Sequence, residues 1–182
     1  MISTLPQPEL VAMHRLEWDA DNAGFVCDVL LPQLGITGDV EKVICWAYGR
    51  DGGWPSYERI SDGSSLVADL FLGGKIKEPF GVGHDFLYEL NRLCMADPSG
   101  RQWTKLEADA WYRRAAAAFG FRWRARVRWI GLQLGGWRAW YGAPQSDTDW
   151  QHGVADAATA RRAELDRQLG LTVETKETGE PR

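Results

Sequence analysis

His84 and Asp85 stand side by side in the stretch GVGHDFLYELN, inside an apolar run. An imidazole is the side chain best suited to moving a proton near neutral pH. To act as a general base it needs a carboxylate on its far nitrogen, which fixes the tautomer and stabilises the imidazolium. Asp109, within TKLEADAWYRR, is the candidate supplier, on the less bulky side of its helix with Leu106, Ala110 and Ala117. Successive helical residues differ by about 100°, so His84 looks toward a partner helix while Asp85 looks toward a preceding loop. That loop is ISDGSS, where Asp62 offers carboxylate oxygens and Gly63 lets carbonyls turn inward, as calcium requires. The candidate roles are therefore His84 and Asp109 as the catalytic pair, with Asp85 and Asp62 as metal ligands. The plainer reading is a His–Asp bond stapling two helices and an Asp-Gly turn closed by its own side chains.

A second constellation follows. No acidic residue occurs between Asp109 and Asp147, while that stretch holds Arg113, Arg114, Arg122, Arg124, Arg126, Arg128 and Arg138. Trp111, Trp123, Trp129, Trp137, Trp140 and Tyr141 are interleaved with them. Arginine beside tryptophan suits an anionic contact. The segment Trp123, Arg124, Arg126, Arg128 and Trp129 is the expected surface for anionic phospholipid or for a partner protein. The alternative makes the tryptophans core and the arginines a solvated face.

These residues need elements to position them. Pro79 suits a first helical position, and Phe80, His84, Leu87, Tyr88 and Asn91 recur at helical spacing. Thr104 and Glu107 form a capping box that starts a second helix over about 105–119, stopped by Gly120. A third helix is expected over about 122–134, ending at Gly135-Gly136. Before these, HRLEW, DADNAG and FVCDVLL suggest a β-hairpin over 14–31, and EKVICWAYG reads as another strand. After Pro144 a polar stretch leads to a short charged helix, VADAATARRAELDRQLG, and a polar tail. The expected fold is thus α+β: a β-rich segment over 1–55, a core of about three helices over 56–142, and a helix with tail over 143–182.

Composition removes other possibilities. The formal net charge of -4 over 182 residues gives no global reason to expect specific nucleic acid binding. Cys27, Cys45 and Cys94 are widely spaced and odd in number, so the sequence supports no disulfide framework or zinc site and each is expected as a small buried hydrophobe in a reducing compartment. The start MISTLPQPEL lacks the basic and apolar regions of a secretory signal, and no stretch approaches the roughly twenty apolar residues of a spanning helix. A bacterial host cytoplasm or a virion is the expected location. P-loop, dinucleotide-binding, GxSxG and HExxH signatures are missing.

The ordered set SDGSS, EPFGVGHDFLYELN, TKLEADAWYRRAAAAFGF and WIGLQLGGWRAWYG resembles an uncharacterised family of tailed bacteriophages and prophages over about residues 56–142. Leu66-Val67 stands where that family carries a proline after its loop. HDFLYELN is also similar to the helix pair of the phospholipase A2 family. That resemblance implies His84 as base, Asp109 as the acid supporting it from the antiparallel helix, and Asp85 with the Asp62 loop as calcium ligands. The implied activity is hydrolysis of a phospholipid ester in a phage accessory protein. The competing expectation is a non-enzymatic virion component, a tail or head-completion protein, that keeps the motif for structure. A metal-dependent phosphohydrolase of the HD superfamily ranks lower, because it needs further histidines and only His14 precedes the pair.

Overall fold

A computed structural model describes residues 23–50, 54–55, 78–146 and 148–170. Among them every regular element is helical. A π-helical segment, Phe25–Leu30, continues as α1 (Leu31–Gln33). The chain then forms α2 (Asp39–Ala47), α3 (Pro79–Arg92), α4 (Lys105–Ala118), α5 (Arg122–Trp140) and α6 (Thr148–Gln168).

The α+β expectation is therefore corrected: residues 23–31 of the supposed hairpin and residues 41–47 of the EKVICWAYG run are helical, and Tyr48-Gly49 form the turn that follows. The burial pattern gives the reason. Val26, Cys27, Leu30 and Leu31 are buried while Asp28 and Val29 are exposed, which is a helical face and no strand alternation. In α2 the buried residues Val40, Val43, Ile44 and Ala47 fall at i, i+3, i+4 and i+7. Packing of these faces overrides the β preference of valine and isoleucine. Residues 14–22 of the expected hairpin lie outside the described residues.

The cysteine expectation is corrected as well. Cys27 and Cys45 form a disulfide that joins the π-helical segment to α2, and Cys94 is free and exposed.

Helices α3 and α4 form the antiparallel pair that carries the site. Phe80 stacks edge-on against Tyr112, and His84 meets Asp109, so residue numbers fall along one helix as they rise along the other. The helices approach closely because Gly83 has no side chain: a β-carbon there would overlap the Trp111 ring. Helix α4 begins as expected, with Thr104 and Glu107 satisfying each other's backbone N–H groups. It ends before Gly120, which takes the left-handed conformation. Trp111 Nε1 donates to the Asp39 carbonyl at 3.2 Å and Arg114 pairs with the Asp39 carboxylate at 2.6 Å, tying α4 to the start of α2.

Helix α5 packs across α3 and α4. Gly135-Gly136 does not end it; the helix continues to Trp140. Its last carbonyls have partners on α3, since Asn91 Nδ2 donates to the Trp140 carbonyl at 3.0 Å and Arg92 Nε to that of Ala139 at 2.7 Å. With Trp140 packed edge-on against Tyr88, these bonds offset the roughly 1 kcal/mol that each interior glycine costs. The following turn is held by Glu89, a fully buried carboxylate on α3. It accepts the backbone N–H groups of Gln145 and Ser146 and the Ser146 hydroxyl, and pairs with Arg92 at 3.0 Å. Helix α6 starts earlier than expected, at Thr148, and docks through Trp150 and Val154. One apolar cluster, from Val26 to Val154, includes side chains of the π-helical segment and of α1 to α6.

Candidate functional site

Asp109 is the centre of a buried polar cluster contributed by three helices. Its side chain is fully buried, and His84 beside it is 6 % exposed. His84 Nε2 lies 3.1 Å from Asp109 Oδ1, and the Tyr88 hydroxyl donates to the same oxygen at 2.7 Å. Asp109 Oδ2 accepts from Lys105 Nζ at 2.5 Å and from Gln133 Nε2 of α5 at 2.7 Å. Lys105 also donates to the Leu132 carbonyl at 2.8 Å, so it bridges α4 and α5. Gly136 makes room for this bridge: a β-carbon there would stand 2.9 Å from the Tyr88 hydroxyl and 3.1 Å from Lys105 Cε.

Helical spacing explains the convergence. Tyr88 is four residues after His84 on α3, and Lys105 is four residues before Asp109 on α4, so each pair shares a face. The imidazole is further packed between the Tyr88 ring, at 4.3 Å between centroids, and the Tyr112 ring, at 5.2 Å.

The electrostatics follow from these contacts. Burial of Asp109 favours its neutral form, but the bonds from His84, Lys105 and Tyr88 outweigh that and hold its pKa below the ordinary 3.8. Asp109 is therefore an anion, and the Nε2 facing it carries the proton. Burial lowers the pKa of His84, yet Asp109 and Asp85 together carry it above 6.5. Tyr88 is pushed up by burial and by the Asp109 carboxylate, and Tyr112 is raised to about 12, chiefly by burial, so both phenols stay neutral.

With Nε2 committed to Asp109, the second imidazole nitrogen, Nδ1, lies 3.6 Å from Asp85 Oδ1. Asp85 is the half-buried member of the set, its side chain 31 % exposed. The pair His84 and Asp109 is thus brought together as its spacing suggests, with Asp85 on the other side of the ring. Asp62, the other expected ligand, lies outside the described residues. Among the described residues no group of three histidine, cysteine, aspartate or glutamate side chains is arranged to hold a metal ion.

Asp109 does not share a face with Leu106. Leu106 points outward, 59 % exposed, whereas Asp109 faces inward with Lys105, Ala108 and Tyr112. Tyr88, Lys105 and Gln133 are the members that sequence reading missed as a site. The four-residue spacings were available for Tyr88 and Lys105, and nothing local marks Gln133.

The arginine- and tryptophan-rich segment divides between two faces of α5. Trp123 and Arg126 are exposed. Arg128 turns inward, pairing with the buried Glu78 at 2.6 Å and donating to the Tyr112 hydroxyl at 3.3 Å. Trp129 is half-buried beneath the Arg113 guanidinium. Arg128 and Trp129 thus belong to the packed side, in contrast to the expected outer surface. Arg124 lies on the same helix, its side chain outside what is described.

A separate cleft of about 300 Å³ opens between the end of α3 and the loop after it, lined by residues including Leu87, Asn91, Cys94 and Trp103. Neither His84 nor Asp85 lines it. No helix among the described residues is long and apolar enough to cross a membrane. No family model, no curated protein and no solved structure matches the chain.

Proposed function

We propose that the protein is a phage or prophage accessory hydrolase that cleaves a phospholipid ester in the manner of phospholipase A2. One observation carries this reading: Asp109 holds His84 by Nε2, leaving Nδ1 beside the half-buried Asp85. In the neutral imidazole Nδ1 then bears the lone pair. It takes a proton from water as the water attacks the ester carbonyl, and the imidazolium is stabilised by Asp109. The same proton leaves with the alcohol. Calcium, which the family resemblance implies, would polarise the ester carbonyl when bound.

The test is release of fatty acid from anionic phospholipid vesicles, measured with calcium and with chelator. Wild-type protein releases fatty acid and His84→Ala does not. Equal release by both, or none by either, removes the catalytic role of His84.

A second reading is favoured by the saturation of Asp109, whose two oxygens accept four side-chain hydrogen bonds from three helices. Such a cluster clamps a helical core without chemistry. The protein is then a non-enzymatic virion component, a tail or head-completion protein. Recovery of the chain at fixed stoichiometry in purified particles, together with no esterase activity, supports that reading.

A further inference from the structure

Helix α5 turns a second, opposite face to solvent. Trp123, Val127, Ile130, Leu134, Trp137 and Tyr141 are all exposed, Leu134 by 81 % and Tyr141 by 75 %. Their numbers advance by four, three, four, three and four, which is an unbroken heptad seam along an element about 28 Å long. The core-facing residues Ala125, Leu132, Gly136 and Trp140 lie on the other side. Trp137 and Tyr141 stack with their rings 13° from parallel at 5.8 Å, so the end of the seam is a flat aromatic surface.

We infer that this seam docks an amphipathic helix of another protein, with acidic residues flanking that helix's own apolar stripe. Two features select this occupant. The seam is only one residue wide, bounded by exposed Arg126 and Gly131 and by exposed Arg138 and Gly135. A strict two-in-seven stripe is the width of a helix–helix seam, whereas a helix lying on lipid presents a broader apolar face. The charge is the second. Helix α5 contains no acidic residue, and its exposed flanks carry Arg122, Arg126 and Arg138. A second copy of the chain, parallel or antiparallel, would set arginine against arginine, while glutamate or aspartate on the partner complements them. The inference is independent of the hydrolase reading, because it requires no chemistry at His84; Trp137 reaches the buried cluster only through its ring, which faces Lys105 Nζ at 4.9 Å.

The probe is a synthetic fluorescent helix as long as α5, with leucines at alternating four- and three-residue spacing and glutamates flanking them. A control peptide carries lysines in place of the glutamates. Binding to the full chain is read by anisotropy at low and high salt. The glutamate peptide binds, binds less tightly as salt rises, and binds at least about tenfold more tightly than the lysine peptide, a difference of about 1.4 kcal/mol. Leu134→Gln and Ile130→Gln each weaken it at least about tenfold with unchanged thermal melting, since both side chains are exposed. Arg138→Glu erases the preference for the acidic peptide. The inference is overturned if the two peptides bind alike or if Leu134→Gln has no effect. It is also overturned if the glutamate peptide fails to bind. In that event sedimentation identifies the occupant, as a self-dimer lost in Leu134→Gln or as phosphatidylglycerol vesicles released by the same change.

Discussion

His84 Nε2 and Asp109 Oδ1 lie 3.1 Å apart, joining two antiparallel helices through a bond closed to solvent. Lys105 grips the other oxygen of the same carboxylate. The cluster thus holds two basic groups on one buried acid, and its removal exposes the energetics of the whole core.

Asp109→Ala leaves Lys105 without its carboxylate in an interior position. Removing one partner of a buried ion pair costs about 3–5 kcal/mol. Urea denaturation at neutral pH measures this directly. A loss below about 1 kcal/mol, the level of a surface pair, contradicts the geometry.

The His84 pKa is raised on folding, so the native state binds more protons than the unfolded chain above pH 6.5. The stabilisation it gives is fully present below 6.5 and is lost as pH rises through the higher folded value. Unfolding free energy should fall across that window in the wild type and stay flatter in His84→Gln. For Asp109, lowered on folding, the sign reverses: its contribution is present above 3.8 and fades as pH falls through its folded value. Denaturation profiles that are parallel for wild type and His84→Gln on the alkaline side would refute the assignment.

Adjacent glycines on α5 should respond oppositely. A β-carbon at Gly136 meets Tyr88 and Lys105, whereas one at Gly135 meets nothing within 4 Å. Gly136→Ala destabilises by about 1–3 kcal/mol through overpacking. Gly135→Ala stabilises by up to about 1 kcal/mol through helix propensity. Equal melting shifts for the two variants would show that α5 does not approach the cluster as described.

Part of this arrangement is legible in the residues. The capping box of Thr104 and Glu107 and the stop at Gly120 depend on local spacing, and each is observed; His84 does meet Asp109, but on a face of α4 shared with Lys105 and Tyr112, not with Leu106. The strands expected over 25–31 and 41–49 rest on residue type; the buried faces at helical spacing over 25–31 and 39–47 show that tertiary packing decides there. The length of α5 was missed because Gly135-Gly136 resembles a stop until Asn91 and Arg92 are seen to receive its carbonyls. The seam from Trp123 to Tyr141 is visible as a four-three rhythm, but the abundance of arginine and tryptophan masked it. Gln133 and Glu89 act only through long-range contacts, which no single-sequence pattern announces.

The Cys27–Cys45 disulfide spans a separation of 18 residues, a loop for which a bridge contributes about 3 kcal/mol. Reduction, or the double change Cys27→Ser with Cys45→Ser, should lower stability by about 2–4 kcal/mol in denaturant titrations. Thiol counting under denaturing, non-reducing conditions should find one free cysteine, Cys94. Three free thiols in freshly purified protein would contradict the bridge.

The orientation of the His84 imidazole underlies every chemical role given to the cluster, and nitrogen-15 NMR of the ring reads it directly. The expected result is a neutral form protonated on Nε2, titrating above 6.5 in wild type and shifting downward in Asp109→Asn. A neutral form protonated on Nδ1, or titration below 6.5, would contradict the account.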